Sequence, residues 1–151
     1  MSLGIRSIYR LAASQTVAAS VTLVDATGIT YPITAAAIGQ KIHFKIKGGF
    51  TLGATGGFKF RVDGPALPTN YQNNQVVTDG VTAAPGSVIA NCIVALTDFA
   101  NAMAVAGNHI LEMEGDFVPS AAGDLKLQFA CNSAANAIIL LQGLTMEITI
   151  V

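Results

Sequence analysis

The sequence has few charged residues and no tryptophan. Only 11% of its 151 residues are Asp, Glu, Lys or Arg, against roughly 25% in ordinary soluble domains. The eight basic and nine acidic side chains leave a formal net charge of −1. Because no block of Lys and Arg is present to neutralise a row of phosphates, we do not expect the chain to bind nucleic acid.

A long apolar run is also missing. A membrane-spanning helix needs about 20 consecutive apolar residues, and the longest candidates, residues 88–96 and 137–141, are much shorter. Near the start, Arg6 and Arg10 precede LAASQTVAASVTLV, which imitates a secretory signal, but Ser, Gln and Thr side chains dilute the apolar stretch. We therefore predict neither a membrane span nor a leader.

Cysteine is scarce as well. Cys92 and Cys131 form no CxxC motif and no Cys/His cluster. Strand alternation places both side chains on the buried face of their predicted strands. We therefore interpret them as buried free thiols that pack as small apolar residues. A disulfide between Cys92 and Cys131 remains an alternative if their two strands are adjacent.

What the sequence does have is an apolar excess. Hydrophobic residues make up 52% of the chain, which is more than a protein of this size readily encloses. We therefore expect self-association or attachment to a larger assembly. The length favours one compact domain at residues 16–151, preceded by a short N-terminal arm at residues 1–15.

Alternation of apolar and polar residues predicts the secondary structure. The segment KIHFKIK, residues 41–47, places Ile42, Phe44 and Ile46 on one face of a strand. Similar alternation recurs at residues 58–63, 109–118 and 125–131. Residues 97–105 have a helix-like start but could also form a strand and loop. About eight antiparallel strands with frequent turns predict an all-β protein, a single jelly-roll sandwich.

Residues able to perform chemistry are sparse. His43 and His109 are the two imidazoles, and neither lies in a catalytic motif. Glu112 and Glu114 share a strand face, which is more simply the solvated side of a sheet. The segment GGFTLGATGG lacks the Lys-Ser/Thr ending of a phosphate-binding loop. We predict no catalytic residues, no cofactor and no metal.

Three segments together resemble a known family. They are DATGITYPITAAAIGQKIHFKIKGGF, TGGFKFRVDGP and LEMEGDFVPSAAGDLKLQFACNSAANAIILLQGLTMEITIV. The chain from about residue 21 onward resembles the jelly-roll domains of phage virion proteins, such as head decoration proteins and tail-fibre tips. Those domains are similar to the tumour-necrosis-factor and C1q jelly rolls. The resemblance implies assembly as a homotrimer and a place in the virion.

Two functions follow as hypotheses. The first is a non-enzymatic decoration, or cement, protein on the outer capsid surface, whose arm contacts the major capsid protein. The alternative is a tail-fibre or receptor-binding module in which residues 48–57 and a second loop recognise host surface carbohydrate, although such residues are also ordinary in solvated turns. The predicted arm contacts are Ile5, Arg6, Ile8, Tyr9, Arg10 and Leu11, and the predicted ligand loop is Asn70, Tyr71, Gln72, Asn73 and Asn74.

Overall fold

The computed structural model describes residues 6–53, 57–65, 70–79, 88–93, 99–101 and 106–151. These segments contain twelve β-strands in two antiparallel sheets and one 3₁₀ turn at Ala35–Ala37. The strands are β1 Arg6–Arg10, β2 Gln15–Ala18, β3 Val24–Ile33, β4 Ile42–Leu52, β5 Phe58–Asp63, β6 Asn70–Asp79, β7 Val88–Ile93, β8 Phe99–Asn101, β9 Gly107–Val118, β10 Gly123–Cys131, β11 Ala137–Leu140 and β12 Thr145–Ile150.

The larger sheet has eight strands and the smaller has four. The larger sheet runs β1-β12-β4-β9-β6-β7, with β11 pairing both β4 and β2, and the smaller runs β3-β10-β5-β8. Neighbours in sequence often lie in different sheets, so the chain crosses repeatedly between the two layers. The prediction of an all-β sandwich is confirmed, and the finer jelly-roll assignment stays a prediction.

Strand β4 organises the larger sheet. On one side it pairs with β9 along its whole length, from Ile42 opposite Phe117 to Leu52 opposite Gly107. On the other side it pairs first with β12 and then with β11. The predicted alternation of β4 is confirmed, because Ile42, Phe44 and Ile46 are fully buried.

The core lies between the two sheets and is rich in aromatic rings. Phe50 of β4 packs edge-on against Phe58 and Phe60 of β5, with ring centroids 5.7 and 5.1 Å apart. Phe44 and Phe117 of the larger sheet lie 6.5 Å apart. Aromatic pairs in such geometries each contribute about 0.5–1.5 kcal/mol beyond their burial, so the contacts of Phe50 help to hold the two layers together.

The interpretation of residues 6–11 as an arm outside the core is wrong. Strand β1 pairs antiparallel with β12, with Arg6 opposite Thr149. The Tyr9 ring lies 5.9 Å from the ring of Tyr31 in the smaller sheet, and Leu11 is only 1% exposed. This segment is therefore an edge of the larger sheet and contributes to the core.

Other boundaries also differ from the prediction. Residues 48–52, expected in a loop, extend β4, and residues 70–75, also expected in a loop, begin β6. Of the apolar run at 88–96, Val88–Ile93 forms a strand, and residues 94–96 lie outside the described residues. Of the ambiguous segment 97–105, Phe99–Asn101 forms a strand, and residues 97, 98 and 102–105 lie outside the described residues.

Candidate functional site: the outer face of the larger sheet

In the part of the chain that the structure describes, the charged residues lie on or beside the strands rather than on the turns. All eight Lys and Arg residues of the chain belong to a strand or directly adjoin one. By contrast, the turn segments 11–14, 19–23, 34–40, 119–122 and 132–136 contain no charged residue. The outer sheet faces are therefore where this chain offers electrostatic recognition.

On the larger sheet the charges form cross-strand pairs, which we call the charge ladder. Arg6 Nη2 lies 2.7 Å from Glu147 Oε1, joining β1 to β12. Lys47 Nζ lies 2.6 Å from Glu112 Oε1, joining β4 to β9. Exposed ion pairs contribute at most about 1 kcal/mol each, so the ladder favours the correct strand register more than it stabilises the fold.

His43 lies at the centre of the charge ladder. Its Nδ1 is 2.8 Å from Asp116 Oδ1, and its Nε2 is 3.3 Å from Glu114 Oε1. Lys41 Nζ contacts Asp116 Oδ2 at 2.9 Å, and Lys45 Nζ contacts Glu114 Oε2 at 3.4 Å. Two carboxylates of β9 are thus each held between two basic groups of β4.

These contacts change the acidity of the carboxyl groups. Partial burial raises the pKa of Asp116, but hydrogen bonds from Lys41 and His43, with their charges, outweigh burial and leave that pKa below its ordinary value. The hydrogen bond from Lys47 lowers the pKa of Glu112. Both carboxyl groups are therefore ionised at neutral pH, as pairing requires.

A shallow depression of about 220 Å³, which we call the polar groove, lies beside His43. Strand register creates it, because Gln72 and Asn74 of β6 stand opposite Asp116 and Glu114 of β9. A Cβ at Gly115 would lie 2.2 Å from the Gln72 carbonyl oxygen, so glycine lets β6 approach β9 closely. The lining residues are His43, Gln72, Asn74, Glu114, Gly115 and Asp116.

The structure separates the six predicted arm residues by strand alternation. Arg6, Ile8 and Arg10 are exposed on one face of β1, and the Ile8 side chain is 55% exposed. Tyr9 is half-buried and Leu11 is buried, so both serve packing. Ile5 lies outside the described residues.

The predicted ligand loop is divided in the same way. Gln72 and Asn74 are exposed and line the polar groove, whereas Asn73 is 0% exposed and points into the core. The side chains of Asn70 and Tyr71 lie outside the described residues. Sequence reasoning missed the three partners that β4 and β9 supply, because His43, Glu114 and Asp116 are distant from this segment along the chain.

The remaining candidate residues are structural. His109 is buried against the ring of Phe50, with centroids 5.2 Å apart. Cys131 is a buried free thiol whose Sγ lies 3.3 Å from the Asn136 carbonyl oxygen. The prediction of a free thiol is thus confirmed for Cys131, and the Cys92 side chain lies outside the described residues.

The described residues contain neither a metal-binding cluster nor a membrane-spanning helix. No group of three or more His, Cys, Asp or Glu side chains in that part of the chain could hold a metal ion. None of its helices is long and apolar enough to cross a bilayer.

The fold and this face define a two-sheet antiparallel β-sandwich with a charged, grooved outer surface. No protein-family model matches the chain, and no curated protein matches it. Among solved structures, it is similar to chains of infectious bursal disease virus. For the Gt strain the identity is 10% and the TM-score 0.24, over 98% of this chain and 36% of the other. For the Gx strain the values are 9% and 0.25, over 98% and 40%. The chain therefore spans well under half of the length of those chains.

Proposed function

We propose that this chain is a non-enzymatic structural protein of a virus particle, and specifically a decoration protein that binds the outer capsid surface of a bacteriophage as a homotrimer. The observation that carries the proposal is the exposed edge strand β1. Arg6, Ile8 and Arg10 share its outer face, and among the described strands β1 has β12 as its one paired neighbour.

An edge strand of this kind suits docking. It presents backbone N–H and C=O groups that a partner strand can pair with, and natural proteins either protect such edges or use them for binding. Arginine is enriched at protein interfaces, and a central apolar side chain excludes water from the contact. In this proposal β1 contacts the major capsid protein through its edge and through Ile8, flanked by the two arginines.

The trimer is supported by the apolar composition and by the resemblance to threefold jelly rolls. In the described part of the chain, five large apolar side chains are exposed, namely Ile8, Val21, Ile38, Ile110 and Val151. An interface between copies would bury part of this surface. A role on the capsid also accounts for the placement of charge on sheet faces, and not on turns, among the described residues, since rigid faces present a fixed surface to a lattice.

The test is co-sedimentation with capsids of the phage that encodes the chain, stripped of its own decoration protein. We expect Ile8→Asp to abolish capsid binding, because it places a carboxylate at the centre of the contact. Thr22→Asp is the matched control, since it places the same carboxylate at another exposed position, in the β2–β3 turn, that is not one of the five exposed apolar residues. Unimpaired binding by Ile8→Asp, in a protein that melts like the wild type, would contradict the proposal.

A deletion of residues 1–11 is a poorer test than a point substitution. It removes β1 from β12 and the buried Leu11 from the core, and removing a buried Leu side chain alone costs about 2–5 kcal/mol. Loss of binding after such a deletion would therefore report unfolding as readily as a lost contact.

A further inference from the structure

We propose that the polar groove between β4, β9 and β6 binds a neutral carbohydrate. This inference goes beyond the role on the capsid and concerns a different surface. Three kinds of observation carry it: the balance of charge in the groove, the hydrogen-bonding capacity of its lining, and the strand register that holds the lining in place.

The charge balance disfavours ionic ligands. Both carboxylates of the groove already contact lysine ammonium groups, Asp116 at 2.9 Å and Glu114 at 3.4 Å, and His43 lies between them. A metal cation would have to displace these groups. An anion would approach two carboxylates directly. A neutral ligand meets neither penalty.

The lining suits hydroxyl groups, which both donate and accept hydrogen bonds. Each carboxylate oxygen of Glu114 and Asp116 retains a further lone pair beyond its present contact and can accept a bond from an O–H group. Within the described residues, the side-chain amides of Gln72 and Asn74 have no hydrogen-bonding partner. Each amide offers two N–H donors and an acceptor oxygen at the rim.

The register fixes these groups relative to one another. Asn74 is paired with Glu114, and Gln72 with Asp116, across β6 and β9. His43 is paired with Asp116 across β4 and β9. Carboxylates therefore form the centre of the groove, with amides along one wall and an imidazole along the other. A site built on adjacent strands needs little reordering when a ligand binds.

The size of the groove limits the ligand. Its volume of about 220 Å³ is below the roughly 300–1,000 Å³ of sites for drug-sized molecules. The groove is also open to solvent along one side. One sugar ring at the end of a longer surface glycan fits these dimensions better than an enclosed free ligand does.

The experiment uses the full chain on an array of glycans ending in glucose, galactose, mannose, N-acetylglucosamine or sialic acid, followed by calorimetric titration of the best free sugar. We expect binding to a glycan with a neutral terminus. We expect Asn74→Ala and Glu114→Gln each to weaken it at least tenfold. Thr78→Ala is the matched control, because Thr78 lies on the same face of β6, opposite Ile110 and away from the groove.

Three results would overturn the proposal: no binding to any neutral glycan, preference for the sialylated glycans, or equal affinity of Asn74→Ala and Thr78→Ala. Thermal unfolding of each variant separates a lost contact from a lost fold. Asn74→Ala should still co-sediment with capsids, because β12, β4 and β9 lie between β1 and the β6 strand that carries Asn74. The carbohydrate proposal and the capsid proposal can therefore be tested separately.

Discussion

Replacing Gly115 with alanine probes the packing that creates both the groove and the centre of the larger sheet. The added Cβ would lie 2.2 Å from the Gln72 carbonyl oxygen, 2.7 Å from Phe44 Cζ and 2.9 Å from Asn73 Cα. Two of these three atoms belong to the backbone of β6. No side-chain rotation relieves such contacts, so β6 must move away from β9.

The expected loss of stability follows from that movement. Overpacking a core typically costs about 1–3 kcal/mol and sometimes more, and each backbone hydrogen bond lost between β6 and β9 adds about 1 kcal/mol. We expect Gly115→Ala to lower the free energy of unfolding by about 3 kcal/mol or more. For a chain of this length, that loss lowers Tm by about 10 °C.

The assay is thermal and urea unfolding followed by circular dichroism, with Gly64→Ala as the matched control. At Gly64 the nearest atom to an added Cβ is Leu125 Cδ1, at an ordinary 3.6 Å, and φ is not positive. That variant should be neutral or stabilised by up to about 1 kcal/mol, because alanine restricts the unfolded chain. Equal stability of the two variants would refute the close approach of β6 to β9.

Two further predictions concern single groups. In a Cys92→Ser background, Cys131 should resist a thiol reagent in the native protein and react fully in denaturant, because its side chain is buried; rapid native labelling would show that the site opens. Lys126 Nζ contacts Asp25 Oδ2 at 2.9 Å, and the hydrogen bond that Lys126 donates to Asp25 raises the pKa of Lys126. Burial raises the pKa of Asp25, but hydrogen bonds from Gln128 and Lys126 outweigh it and lower that pKa below its ordinary 3.8. The stabilisation from Asp25 is therefore present above pH 3.8 and is lost as the pH falls through the pKa of Asp25 in the folded protein. The stabilisation from Lys126 is present below pH 10.5 and is lost as the pH rises through the pKa of Lys126 in the folded protein. Urea unfolding across this range should show weaker pH dependence at both ends for Lys126→Met, and an unchanged profile would mean that the pair does not form in solution.

The sandwich could be predicted from the sequence where one strand face is apolar and the other is not. Strand β4 is the clearest case, since Ile42, Phe44 and Ile46 are all buried as the alternation requires. Two segments broke that rule. In β1 the apolar Ile8 lies on the exposed face whereas the polar Ser7 lies on the opposite, less exposed face, and in β6 the inward residues include Asn73 and Gln75. Apolar periodicity cannot reveal a strand whose polar residues lie inside.

The groove could be predicted only in part. The amide-rich segment that supplies Gln72 and Asn74 was evident from its composition. Its partners were not, because His43 and Asp116 meet across 73 positions of sequence, and strand register decides which side chains stand opposite. A single sequence indicates which residues share a strand face, but the pairing of distant strands has to come from the structure.

The proposed role on the capsid depends most on the self-association of this chain into a symmetric homotrimer. Sedimentation equilibrium of the full chain measures this directly. We expect a particle of about three times the chain mass of 15.5 kDa, which persists on dilution into the low micromolar range. A mass of 15.5 kDa at every concentration, up to the highest that stays in solution, would contradict it.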